Sequence, residues 1–108
     1  MPESYKSIVK KLDVNTTFSV YTVPSATTAI IQLATFANVD ASNSDSVEFC
    51  FRKSGDAADV FLVKGPTVPV ATTFRFDGPI VLNTGDILKI KAATANRIDV
   101  TIHLLEIS

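Results

Sequence analysis

The sequence predicts an all-β chain: an antiparallel β-sandwich, jelly-roll-like, with about eight strands in a single domain. Three observations predict it. No stretch spaces its apolar residues at 3.6 over a helical length, whereas several alternate at period two. Turn residues recur at the roughly 8–12-residue spacing of sandwich strands. The segment Thr22-Val23-Pro24-Ser25-Ala26-Thr27-Thr28 also returns, with one difference, as Thr67-Val68-Pro69-Val70-Ala71-Thr72-Thr73. Proline lacks the N–H a sheet ladder needs and holds the preceding residue extended, so Val-Pro closes one strand and the threonines open the next. The two copies are either the trace of a pseudo-symmetric domain or one corner chemistry reached twice.

The elements follow in order. Residues 5–12 set Lys6, Lys10 and Lys11 around Ile8 and Val9, which suits an edge strand guarded by lysines or an arm lying on a neighbour. Residues 1–12 are assigned to that arm or edge strand and residues 13–108 to the sandwich. The neighbour is the favoured place for the arm, because the remaining strands suffice to close a sandwich. Its apolar side chains Tyr5, Ile8, Val9 and Leu12 are the candidate interaction residues, each large side chain giving ~1.5–3 kcal/mol when fully buried.

Residues 16–23 form a strand ending at the first corner. Residues 28–37 are apolar on both parities, so that strand is expected to be central and covered on both faces. Residues 38–46 are the polar loop. Residues 46–53 alternate, Val47, Phe49 and Phe51 against Glu48, Cys50 and Arg52. Residues 60–63 are a short strand stopped by Lys64-Gly65-Pro66. Residues 73–76 are extended up to Asp77-Gly78-Pro79, and Ile80, Val81 and Leu82 are then buried. Gly85 supplies a positive φ in the turn 83–86. Residues 87–92 set Leu88, Ile90 and Ala92 against Lys89 and Lys91. In the last strand Ile98, Val100, Ile102 and Leu104 face in, while Arg97, Asp99, Thr101 and His103 face out. Val47, Phe49, Phe51, Leu88, Ile90, Ile98, Val100 and Ile102 are the predicted core.

Composition narrows the function. Hydrophobic residues make up 46% and charged residues 19%, a balance that argues against disorder. Ten basic residues against eleven acidic ones give no pull toward nucleic acid or an anionic membrane. No apolar run approaches the ~18 residues of a membrane helix, and the first residues lack the pattern of a signal peptide. A soluble product made in a cytoplasm is expected. Asn15-Thr16-Thr17 matches a glycosylation acceptor by chance on that reading.

Catalytic material is thin. His103 is the one histidine and Cys50 the one cysteine. A nucleophile pair made from them has no third group to orient the base, and no second His or Cys exists for a transition-metal site. Four unclustered glycines make no phosphate cradle. Asp40 and Asp45 offer hard oxygen ligands, yet their loop lacks the glycine and the closing acid of a calcium loop, so a solvated connection is expected. Phe74-Arg75-Phe76 reads as a core-facing pair around one exposed charge. No catalytic residue, metal or cofactor is assigned.

Val20-Tyr21-Thr22-Val23-Pro24, Thr27-Thr28 and Asn38-Val39 resemble small accessory proteins of tailed-bacteriophage virions. So do Leu62-Val63-Lys64, Val68-Pro69, Gly78-Pro79-Ile80-Val81-Leu82, Gly85-Asp86-Ile87-Leu88 and Leu105-Glu106-Ile107. The likeness spans roughly residues 18–107 and rests on turn and strand chemistry. It implies a non-enzymatic virion building block, of decoration or neck/tail adaptor type, synthesised in the host cytoplasm. Its partners would be itself, as a trimer or higher homo-oligomer, and other virion proteins. The rival is a carbohydrate-binding sandwich whose aromatic platform would be Tyr5 or Tyr21.

Overall fold

The computed structural model describes residues 3–108, so Met1 and Pro2 of the predicted 1–12 segment lie outside the described residues. Eight strands follow one another: β1 (Glu3–Lys11), β2 (Phe18–Thr22), β3 (Thr28–Asn38), β4 (Asp45–Arg52), β5 (Val60–Val68), β6 (Thr73–Leu82), β7 (Ile87–Ala92) and β8 (Ile98–Ile107). One four-stranded sheet has the order β1-β8-β3-β6 and the other β2-β7-β4-β5, with every recorded pairing antiparallel. Every connection except β4–β5 crosses from one sheet to the other. This is the jelly-roll arrangement, and it follows from strands that each carry one apolar parity needing cover.

The core is the layer between the sheets. All of the predicted core residues are fully buried except Phe51, which is half-buried and packs against the others. Phe36 of the first sheet meets Phe49 of the second edge-on at 5.6 Å, and Phe49 meets Phe76 of the first sheet at 5.3 Å. These edge-to-face pairs tie the sheets at mid-height. Phe74 and Phe76 do face the core, and Arg75 is exposed.

The repeated segments are the β2–β3 and β5–β6 corners, each passing from the second sheet to the first. Ala26 and Ala71 hold matching left-handed conformations, φ 54° and 58°. The flanking strands are not equivalent, since β3 lies inside its sheet and β6 at an edge. The repeat is therefore one local corner geometry used twice, without a repeated half-domain around it.

Four expectations need correction. First, of the two places offered for the first segment, residues 3–11 take the edge strand rather than the favoured neighbour: β1 pairs with β8 from Glu3↔Ile107 to Lys11↔Asp99, and Leu12 N–H donates to Ile98 O at 2.9 Å. The lysines explain why this strand resembles an arm. Lys6 and Lys10 point inward at the sheet edge, Lys6 to Glu106 and Lys10 over the Phe18 ring, a placement that blocks further strand addition.

Second, strict alternation would set Ile31, Leu33 and Thr35 on one face of β3 and Ile30, Gln32, Ala34 and Phe36 on the other, and β3 does not alternate throughout. A bulge at Gln32 shifts its register with both β6 and β8, leaving Ile31, Ala34 and Phe36 inside and Ile30, Leu33 and Thr35 outside. Gly78 of β6 makes room for it: a Cβ there would lie 2.0 Å from the Ile31 carbonyl oxygen. Third, β5 runs through Gly65-Pro66, because an edge strand tolerates proline and a register shift absorbs the extra residue. Fourth, Val81 is 56% exposed, since the inward parity of β6 is Phe74, Phe76, Ile80 and Leu82.

Candidate interaction surface

The two sheets turn different chemistry outward. On the first, strand register lines the outward residues up into rows across all four strands. Tyr5, Leu105, Ile30 and Val81 form one continuous apolar row. Its neighbour is Ser7, His103, Leu33 and Asp77, and the next is Val9, Thr101, Thr35 and Arg75. Tyr5 and Val9 are 75% and 74% exposed. Four charges on this face are paired locally, Lys11 with Asp99 at 2.8 Å and Arg75 with Asp77 at 2.8 Å.

The expectation that β3 is covered on both faces therefore holds on one side only: Ile30 and Leu33 point away from the core, and no segment of this chain among the described residues lies over them. An apolar row of this kind on an exposed sheet is unusual, because a sheet with one solvated face normally alternates apolar-in and polar-out.

The second sheet faces outward with Arg52, Lys64, Lys89 and Lys91 against Glu48 and Asp59. Asp59 binds both Arg52 Nε at 2.9 Å and Lys89 Nζ at 3.0 Å. The Lys89 hydrogen bond, with Arg52 beside it, holds the Asp59 carboxyl below the usual range despite some desolvation. Lys64 Nζ lies 4.0 Å above the centre of the Phe61 ring. Cys50 sits beneath this layer and is buried; burial pushes its thiol pKa up, and Asp59 adds to the effect. Such a thiol is a poor nucleophile. Cys50 and His103 point out of opposite sheets, so the two layers of the sandwich separate them and they form no pair.

Of the four predicted interaction residues, the structure leaves two outward. Tyr5 and Val9 belong to the exposed rows. Ile8 faces inward beside Ile102 and packs on the core, and Leu12 is a fully buried core residue, so neither offers a contact surface. Leu105, Ile30 and Val81 were not singled out from the sequence as contact residues. The signal was present in Leu104-Leu105 and Ile30-Ile31, adjacent apolar pairs that no one-sided strand can bury completely.

The remaining polar groups serve the fold. Between the sheets, Tyr21 donates to Glu106, whose other oxygen meets Lys6 at 3.0 Å. Desolvation first, and then this carboxylate, raise the phenol's pKa far above its ordinary value. Tyr21 is thus committed to an internal clasp, and of the two tyrosines Tyr5 alone is free as an aromatic platform. It borders a shallow depression of about 250 Å3 lined also by Lys6, Ser7, Gln32, His103 and Leu104.

In the polar loop, Asp40 accepts from Ser42 N–H and Asn43 and meets Arg97 at 3.1 Å, and Asp45 accepts from Thr94 N–H. Those carboxylates brace their own turns, and no group of three or more His, Cys, Asp or Glu able to hold a metal occurs among the described residues. Asp86, almost fully buried, receives Lys53 Nζ at 2.7 Å and the amides of Ser54 and Asn83, both at 2.9 Å.

No family model matches the chain, and no curated protein sequence matches it. Among solved structures, a chain in the crystal structure of the T13 IBDV viral particle is similar, with a TM-score of 0.60 and 9% identity. The match covers 96% of this chain and 30% of that one, so the present chain spans less than a third of its length. At that identity the likeness is one of fold.

Proposed function

We propose that this chain is a non-enzymatic structural protein of a tailed-phage virion, a small subunit that binds itself and the capsid or neck/tail surface as a decoration or adaptor protein. One observation carries the reading: an outward-facing apolar row, exposed at Tyr5 and Val81 and half-buried at Leu105 and Ile30, runs across a whole sheet of a small, nearly neutral jelly roll. A repeated subunit uses one such patch at every copy, so modest contacts sum over a particle. Jelly rolls recur in capsid domains, which agrees with the fold likeness to a chain of a viral particle. Synthesis in the host cytoplasm and a location in the virion complete the proposal. Quantitative mass spectrometry of gradient-purified particles from cells producing the chain tests it. Many copies per particle are expected; a chain left wholly in the unassembled fraction contradicts the proposal.

The alternative is a glycan-binding module, since jelly rolls also occur in lectins. The exposed Tyr5 ring beside the depression at Ser7, Gln32 and His103 is what favours it. Binding to immobilised oligosaccharides that Tyr5→Ala abolishes would support that reading over the first.

A further inference from the structure

We infer that a second copy of this chain stacks face to face on the outer surface of the β1-β8-β3-β6 sheet, about a two-fold axis running parallel to the strands between β8 and β3. The inference deepens the repeated-subunit reading and rests on it, by naming the face and the geometry of self-association.

The rows dictate the symmetry. A two-fold axis along the strands keeps each row at its height and reverses the strand order, so β1 lies over β6 of the second copy and β8 over β3. The apolar row then meets itself: Tyr5 opposes Val81 and Leu105 opposes Ile30, within the ~30° by which stacked sheets cross. The next row sets Ser7 against Asp77 and His103 against Leu33, and the third sets Val9 against Arg75. No two like charges face one another. A two-fold axis across the strands at the middle row would instead lay the apolar row over the row of Val9, Thr101, Thr35 and Arg75, opposing Leu105 to Thr101 and Val81 to Arg75, and one through the apolar row itself would overlap only the end of the face.

Area and charge favour the same partner. Four strands at ~4.8 Å spacing and nine residues at ~3.3 Å rise span about 19 by 30 Å. Two such faces bury on the order of 1,100 Å2, which clears the ~1,000 Å2 expected of a specific interface. The outward charges here are Glu3, Lys11, Arg75, Asp77 and Asp99, two basic against three acidic and mostly paired, so two copies scarcely repel. The outer face of the other sheet carries four basic residues against two acidic ones, so even with Arg52 and Lys89 paired to Asp59 and Lys64 to Glu48, two copies meeting there would bring a net positive charge together.

Native mass spectrometry and sedimentation velocity at rising concentration give the first test. A dimer, or an even-numbered oligomer built from it, is expected, and Tyr5→Asp or Val81→Asp should weaken the pairing at least tenfold. Phe61→Asp, on the other sheet, should leave it unchanged. The second test uses Tyr5→Cys and Val81→Cys as separate chains in a Cys50→Ala background. Under mild oxidation the mixture should cross-link between copies far more than either chain alone. A chain that stays monomeric, an association insensitive to both aspartates, or Tyr5→Cys linking to itself as readily as to Val81→Cys overturns the inference. A monomer that still co-purifies with particles would overturn it while leaving the virion reading standing.

Discussion

The two outer faces of the sandwich differ more than the two inner ones. Both sheets bury the same kind of alternating apolar parity, and neither inner face could be exchanged for a polar one without losing the core. Outside, the β1-β8-β3-β6 sheet shows an unbroken apolar row, and the β2-β7-β4-β5 sheet shows lysines and acids knitted through Asp59. Folding imposes neither choice. A residue that the fold does not require is free to report what the molecule touches, and the difference between the faces is therefore the most informative functional feature of the chain.

The largest effect that would break this comparison is loss of the edge of the apolar sheet. Deleting residues 1–12 removes all of β1, the buried Leu12 and the inward cover of Lys6 and Lys10, and leaves β8 as an open edge. Circular dichroism melts should show no cooperative transition. A truncated chain that melts like the full one would make β1 a dispensable arm and shrink the exposed rows to three strands.

Substitution inside the sandwich should come next, and should strike both sheets alike. Phe49→Ala removes a buried ring that contacts Phe36 and Phe76, and is expected to cost about 3–5 kcal/mol in denaturant unfolding. Phe51→Ala, at a half-buried ring, should cost about half as much. Equal losses would mean that Phe51 is as central as the sequence alone suggests. Gly78→Ala should follow at about 1–3 kcal/mol, because its Cβ collides with the Ile31 carbonyl and the bulge must move. That variant also disturbs the outward row at Ile30, so an effect on association is expected alongside the loss of stability.

Much of this architecture is readable in the sequence, and the unread parts have physical reasons. Strand β8 declares itself because its inward residues from Ile98 to Leu104 are all apolar and most of its outward ones are polar. The two corners declare themselves through Val-Pro and paired threonines. The bulge at Gln32 does not, since it depends on Gly78, a residue distant in sequence whose missing Cβ admits the Ile31 carbonyl. The place of strand β1 stays open between arm and edge in the sequence, because its inward lysines look like a surface pattern until Glu106, Asp13 and Phe18 are seen to receive them. The contact face was half legible: Tyr5 and Val9 stand out as apolar residues among lysines, whereas Leu105, Ile30 and Val81 join them only once three strands fix the register.

Acid should weaken the fold through groups off both outer faces. Burial alone would raise the Asp86 pKa, but Lys53 and the amides of Asn83 and Ser54 outweigh it and hold the carboxyl below its ordinary value. Glu106 is held low too, by the Tyr21 hydroxyl first and then by Lys6, against some desolvation. Both contributions are fully present above the unfolded values of about 4 and disappear as pH falls through the depressed folded ones. The melting temperature should therefore drop steadily below pH ~4, and Asp86→Asn should flatten that slope while lowering stability at neutral pH. A melting temperature independent of pH over that range would contradict the assignment.

The smallest expected effects lie on the faces themselves. Tyr5→Ser and Val81→Ser should each change the stability of the isolated subunit by no more than ~0.5 kcal/mol, as surface substitutions do. If either costs several times that, the row is being used by the fold and says nothing about partners.

The most direct measurement of the difference between the faces is hydroxyl-radical footprinting read by mass spectrometry, at low and high protein concentration and in purified particles. Tyr5, Ile30, Val81 and Leu105 should lose reactivity on assembly, while Val60 and Phe61 of the charged sheet stay as reactive as in the free subunit. Protection at Val60 and Phe61 with Tyr5 and Val81 unchanged would place the contact surface on the wrong sheet and contradict the account.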